Sequence, residues 1–159
     1  MAVKRPKLKM ELEATKEYIK QLLDYQYDLL YVRDWGDNHA EFLFKQTTRV
    51  IIENELVKSW IIKLVEHTLF NFNKIDTGPS TKIRPDRFVP IEFIGYLVHK
   101  TRWPEFSKLA DKIENSDADT WKTNLITKSS QMLKEALSDT WEDREFYEEF
   151  TGKNDWIRN

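Results

Sequence analysis

The chain has 159 residues, with 25 basic and 27 acidic side chains and a net charge of −2. That length suits one domain able to remove roughly two-thirds of its unfolded surface from water, and the charge balance gives no global field for nucleic acid or an anionic membrane. The absence of cysteine excludes disulfides, thiolate metal sites and cysteine nucleophiles.

The first residues carry the basic run KRPKLK at 4–9. It reads as a solvated basic tail over residues 1–7 rather than a nuclear address. There is no apolar leader core and no run of ~18 apolar residues, so the chain is expected to be soluble and cytoplasmic, with no membrane partner. From Leu8 to Val32 neither glycine nor proline intervenes, and Tyr18, Leu22, Tyr25, Leu29 and Val32 recur at alternating spacings of four and three. This predicts one face of an amphipathic helix, widened by Ile19, Leu23 and Leu30.

RDWGDNH at 33–39 follows. Gly36 suits a tight turn, and Asn38 with Glu41 has the spacing of a capping box, so a second helix is expected from there. Its apolar positions keep helical spacing as far as Phe72, with a kink expected near KQTTR at 45–49 because an unbroken helix would run to ~50 Å. Residues 76–90 hold three of the five prolines and a glycine, which predicts one long irregular loop of the kind that often carries function. The next run, 91–99, is compatible with a helix opened by Pro90 or with a short strand; the helix is preferred.

Pro104 is expected to open a short helix through Phe106, Leu109, Ala110 and Ile113, ended by NSDAD at 115–119. Ser116 or Asp117 then caps a helix to about Leu137, with Trp121, Leu125, Met132 and Ala136 inward. Asp139 and Glu142 repeat the capping-box spacing for a last helix ending before Gly152, with residues 151–159 as a short tail. The fold class predicted is all-α: a single-domain bundle of five to seven helices.

Few residues point to chemistry. The chain has no GxGxxG, GxxxxGK[ST] or GxSxG pattern, so nucleotide binding and serine hydrolysis lack their usual backbone devices, and no cofactor is expected. Glu66 and His67 are neighbours on a predicted helix and face different directions. Asp34, Asp37, His39 and Glu41 could be imagined around a divalent metal, but acids at a helix start are explained by the helix dipole, and no metal is expected.

Arg33 and His39 are separated by five residues, with a polar residue after the arginine. This spacing resembles the motif of HEPN-type helical domains, as LVEHTLFNFNKI at 64–75 resembles a mid-domain helix of that group. The resemblance implies RNA as a partner, Arg33 positioning phosphate and His39 as acid or base, since an imidazole titrates near neutrality. The simpler reading of the same stretch is a helix-to-helix turn with Trp35 packing back.

Two surfaces are candidates for partner binding, supported by the six Trp, six Tyr and nine Phe of the chain, since large rings are frequent interface anchors. One is the cationic-aromatic set Lys82, Arg84, Arg87, Phe88, Arg102 and Trp103, near Lys100. The other is the acidic-aromatic C-terminus, with Trp141, Glu142, Asp143, Glu145, Glu148 and Glu149. The sequence thus predicts a non-enzymatic interaction or regulatory protein that binds a protein partner, or itself because the two patches differ in sign. The alternatives are the HEPN-like RNA-binding protein or ribonuclease, and an acidic nucleic-acid mimic using Asp139 with the five C-terminal acids.

Overall fold

A computed structural model describes residues 11–116 and 129–152, and every regular element among them is helical. The basic tail and the inward positions Trp121 and Leu125 lie outside the described residues. Seven α-helices are described: α1 (Leu12–Tyr27), α2 (Glu41–Glu53), α3 (Lys58–Asn71), α4 (Ile91–Thr101), α5 (Pro104–Glu114), α6 (Ser129–Ala136) and α7 (Glu148–Thr151). α1 packs on α2, α4 lies against α2 and α6, and α5 rests on α3 and α6. One apolar core runs through all of these contacts, with Ile19, Phe44, Val65, Phe93, Phe106 and Leu133 fully buried.

The buried stripe of α1 lies beside the one the apolar spacing predicts. Thr15, Ile19, Leu22, Leu23, Gln26 and Tyr27 are buried, whereas Tyr25 is 61% exposed. Two polar residues disguise the true face. Gln26 donates to the Thr47 hydroxyl (2.9 Å), which donates to the Leu43 carbonyl (2.6 Å), and the Thr15 hydroxyl donates to the Glu11 carbonyl (2.9 Å). Thr15 is satisfied in this way, whereas Gln26 keeps its Oε1 buried without a partner among the described residues, so its place in the core carries a cost.

α1 ends in a wide π-helical turn, Asp28–Val32, closed by donation from the Arg33 amide to the Asp28 carbonyl at 2.8 Å. The left-handed residue that stops the helix is Asp34 (φ 55°), not Gly36, whose backbone is ordinary extended chain (φ −68°, ψ 161°). Asp can take this conformation because its short polar side chain tolerates it.

The expected capping box does not form. Residues Asp37–Ala40 make a 3₁₀ turn, and the buried Glu41 carboxylate instead accepts from the backbone amides of Glu148 (2.8 Å) and Glu149 (3.0 Å). The break after α2 falls at Asn54, not at 45–49. Asn54 leaves helical geometry (φ −131°, ψ 78°), and its side-chain amide donates to the Val50 carbonyl at 2.8 Å, satisfying a group that the helix end leaves without a partner.

The long loop is pinned at several points. The Tyr27 hydroxyl donates to the Thr81 carbonyl (2.6 Å) and accepts from the Gly78 amide (3.3 Å). Thr68 joins it from α3, donating to the Arg87 carbonyl (3.2 Å) and accepting from the Val89 amide (3.0 Å). Residues 91–99 are helical, as Pro90 suggests. α5 starts at Pro104 and buries Phe106, Leu109, Ala110 and Ile113, the four positions its spacing predicts.

Instead of one last helix after Asp139 there is a 3₁₀ turn, Glu142–Phe146, an extended Tyr147 and then α7. Thr151 closes α7 and Gly152 caps it in left-handed geometry (φ 66°).

Candidate functional site

The cationic loop set divides on folding. Phe88 is buried, edge-on to the rings of Tyr27 and Tyr31. Arg84 is drawn down onto the same layer, its Nε 2.7 Å from Asp24 and its guanidinium donating to the Phe88 carbonyl (2.8 Å). Arg102, left-handed at the end of α4, pairs with Asp139 at 2.7 Å. Trp103 stacks on Phe106 and carries the Lys58 ammonium over its face, 4.7 Å from the centroid. Lys82 and Arg87 remain exposed. Phe88 therefore belongs to the core layer beneath the pinned loop, while Trp103 is half-buried at the start of α5.

Arg33 and His39 are turned to separate partners. Arg33 pairs with Asp28 at 2.6 Å, and the His39 imidazole lies edge-on to Trp35 with centroids 5.8 Å apart. The other residues imagined around a metal also diverge: Asp34 is exposed, while Glu41 faces α7. Glu66 pairs with Lys112, and His67 adjoins Asn71. His99 is buried between Trp141 and Phe150. Its Nδ1 lies 2.7 Å from the Ala136 carbonyl, which only accepts, so that nitrogen carries the proton. Burial, helped by Arg102 and Arg144, holds the His99 pKa below the usual imidazole value.

The C-terminal segment keeps a surface of its own. Trp141 and Tyr147 turn inward and pack on each other and on Phe150. The turn between them projects outward: Asp139, Glu142, Asp143 and Glu145 are exposed, Arg144 is half-buried, and Phe146 is 51% exposed. Glu148 and Glu149 are half-buried, and Glu149 pairs with Lys100. An open cleft of about 650 Å³ runs beside the segment, with Asp139, Glu142 and Glu145 on its walls and Phe150 in its lining.

Asp143 of this turn comes within electrostatic reach of carboxyl groups on two other elements, Asp37 and Glu92. Burial, with Glu92 and Asp143 nearby, pushes the Asp37 carboxyl up to about 7. Burial also raises Glu92, opposed by the Tyr31 hydroxyl donating to its Oε2 at 2.7 Å, and it raises Asp143, with Glu142 adding to the effect. The Tyr147 hydroxyl is buried within reach of the same charges and is pushed far up, by desolvation first and then by Asp37.

Sequence reading missed this group, and it missed the anchoring role of Glu41. Their members are 51 to 108 positions apart, and no local pattern announces such a pairing. Compared with known protein families, curated proteins and solved structures, the chain matches none.

Proposed function

We propose that this protein is a non-enzymatic interaction module, with a regulatory role in the cytoplasm, that docks on a basic protein surface through residues 139–146. The observation that carries the reading is Phe146, half exposed on a turn whose exposed neighbours are the carboxylates Glu142, Asp143 and Glu145. An apolar ring inside a set of like charges supplies an anchor and a steering field together, and the cleft beside it leaves room for a partner side chain. The partner's chemistry follows from sign: lysine- and arginine-rich, with an apolar socket.

The test is capture from the host lysate at two salt concentrations, with wild type beside Glu142→Lys/Glu145→Lys and Phe146→Ala. A basic protein retained at low salt, weakened by raised salt and lost with either variant, is the expected result. Phe146→Ala is expected to cost about 2 kcal/mol or more of binding, the size of an interface hot spot. Salt-insensitive capture, indifference to both variants, or enrichment of RNA cut by wild type and not by His39→Ala would overturn the reading.

A further inference from the structure

The core uses only part of the apolar stripe at Tyr18, Leu22, Tyr25, Leu29 and Val32. Leu22 is buried, whereas Tyr18, Leu29 and Val32 are half-buried and Tyr25 is 61% exposed. Tyr18 lies on the seam between α1 and α2, where Gln46 of α2 donates to its hydroxyl at 3.0 Å. From that bond the seam runs toward the turn joining the two helices. Tyr25 lies on the same edge of α1 nearer that turn, and Phe42, 64% exposed, lies nearer it on the edge of α2 that carries Gln46. Trp35, 51% exposed, sits in the turn itself, its amide donating to the Leu29 carbonyl at 2.8 Å and its ring edge-on to His39. Three large rings, each more than half exposed, are thus gathered at one end of one seam.

The same face carries almost no charge. Ala14, Tyr18, Gln21 and Tyr25 share the edge on α1, and Phe42 and Gln46 the edge on α2, although 33% of the chain is charged. Charges at its borders are paired, Asp28 with Arg33 at 2.6 Å and Arg49 with Glu53 at 3.4 Å, and Asp34 brings one exposed acid beside Trp35. Aromatic enrichment with depletion of charge is the composition of the centre of a protein interface, whereas the solvent side of a helix is ordinarily charged. Rings of this size hide ~150–250 Å² each, so the exposed parts of the three supply about 350 Å². Tyr18, Gln21, Leu29, His39 and Gln46 around them extend the face toward the ~800 Å² per partner of a stable complex.

Charge selects the occupant. A strongly basic or acidic partner finds no counter-charge here, and its own charges would lose water without compensation. Tyrosine hydroxyls and glutamine amides each donate and accept, so the polar groups of the face complement themselves. A two-fold contact brings one patch together with its own copy and requires a patch that does not repel itself. The acidic turn at 139–146 fails that requirement, and the α1–α2 seam meets it. We propose that this seam, centred on Tyr25, Trp35 and Phe42, is the interface of a two-fold homodimer. It joins like faces without charge, not patches of opposite sign. It does not depend on the docking reading, and each dimer presents two acidic turns to a partner.

The experiment is sedimentation equilibrium of the full chain over a wide concentration range, with Tyr25→Lys, Phe42→Lys and Ile83→Lys. Ile83, 82% exposed in the long loop, is an apolar surface residue away from the seam. Wild type is expected to pass reversibly from monomer to twice the monomer mass. Tyr25→Lys and Phe42→Lys should each raise the dissociation constant about a hundredfold, because a tenfold loss at each copy enters twice. Ile83→Lys should change nothing, and all three variants should melt near wild type, since exposed side chains contribute little to the fold. The chain has no cysteine, so Gln21→Cys and Lys108→Cys each introduce a single thiol. Mild oxidation should link two copies through the first, at the seam, and not through the second, exposed on α5. A monomer at every concentration, a dimer indifferent to both seam variants or equally sensitive to Ile83→Lys, or equal linking through the two thiols would each overturn the assignment. So would a monomer that retains from lysate a protein lost with Phe42→Lys, which would give the face to a different partner. Phe146→Ala should leave the dimer intact, so failure of the docking reading and failure of this one are told apart.

Discussion

At the residue scale, the carboxyl group behind the C-terminal turn makes a prediction whose sign is fixed. Asp37 has its folded pKa raised from 3.8 to about 7, by burial first and then by Glu92 and Asp143. Between those values the folded protein binds more protons than the unfolded chain, so stability is greatest below the lower value. It falls as pH rises through the window, and the slope vanishes above about 7. Glu92 and Asp143 are raised as well and act in the same direction. Urea denaturation between pH 4 and pH 7.5 should show this decline, and Asp37→Asn should flatten it. A profile that rises with pH, or one that Asp37→Asn leaves unchanged, would mean that burial and the neighbouring carboxyls do not raise Asp37. Nothing in the sequence announces the group, because acids at 37, 92 and 143 each look like an ordinary solvated charge until the helices bring them together.

At the element scale, α4 explains a glycine that composition alone leaves ambiguous. Gly95 sits in the middle of a helix, where it costs about 1 kcal/mol relative to alanine, and its central position is what makes a strand seem possible for 91–99. The structure supplies the reason. A Cβ at Gly95 would lie 2.8 Å from Cζ2 of Trp141, a ring that is itself buried, so the missing side chain is the space the indole occupies. Gly95→Ala should therefore destabilise the protein despite the better helix former, by about 1–2 kcal/mol once overpacking is set against propensity. Trp141→Phe should relieve the clash. A double-mutant cycle in which the two changes add without coupling would disprove the contact. The legible elements are those whose signals are local: Pro104 opens α5, and four apolar positions at helical spacing bury its face. The misread boundaries depend on distant partners. Glu41 looks like half of a capping box but serves α7, and α2 stops where Asn54 can turn back on Val50 rather than where helix propensity dips.

At the scale of the whole molecule, the C-terminal segment acts as a wall of the core, although its six acids in thirteen residues suggest a surface feature. Trp141 fills the space over Gly95 and lies against His99, Tyr147 packs on Phe44 and Tyr96, and Phe150 covers Tyr96 and His99. Polar contacts fasten the same segment from three sides: Glu41 to the start of α7, Lys100 to Glu149, and Arg102 to Asp139. Periodicity could not anticipate this, because it marks Phe146 and Phe150 as a buried pair at i and i+4. The extended Tyr147 resets the register, so Trp141 and Tyr147 go inward and Phe146 goes out. Burying two large aromatic side chains stabilises a fold by about 3–6 kcal/mol, a large part of the ~5–15 kcal/mol that holds a typical domain together. A chain ending at Ser138 should therefore lose its cooperative unfolding transition and bind a dye specific for exposed apolar surface, because Phe44, Tyr96 and His99 would be uncovered together. If the shortened chain instead unfolds sharply at the wild-type midpoint, the core is complete without the segment. The acidic turn would then hang from the bundle as a separable arm, and the anchoring of residues 139–146 by their neighbours would contribute nothing to the fold.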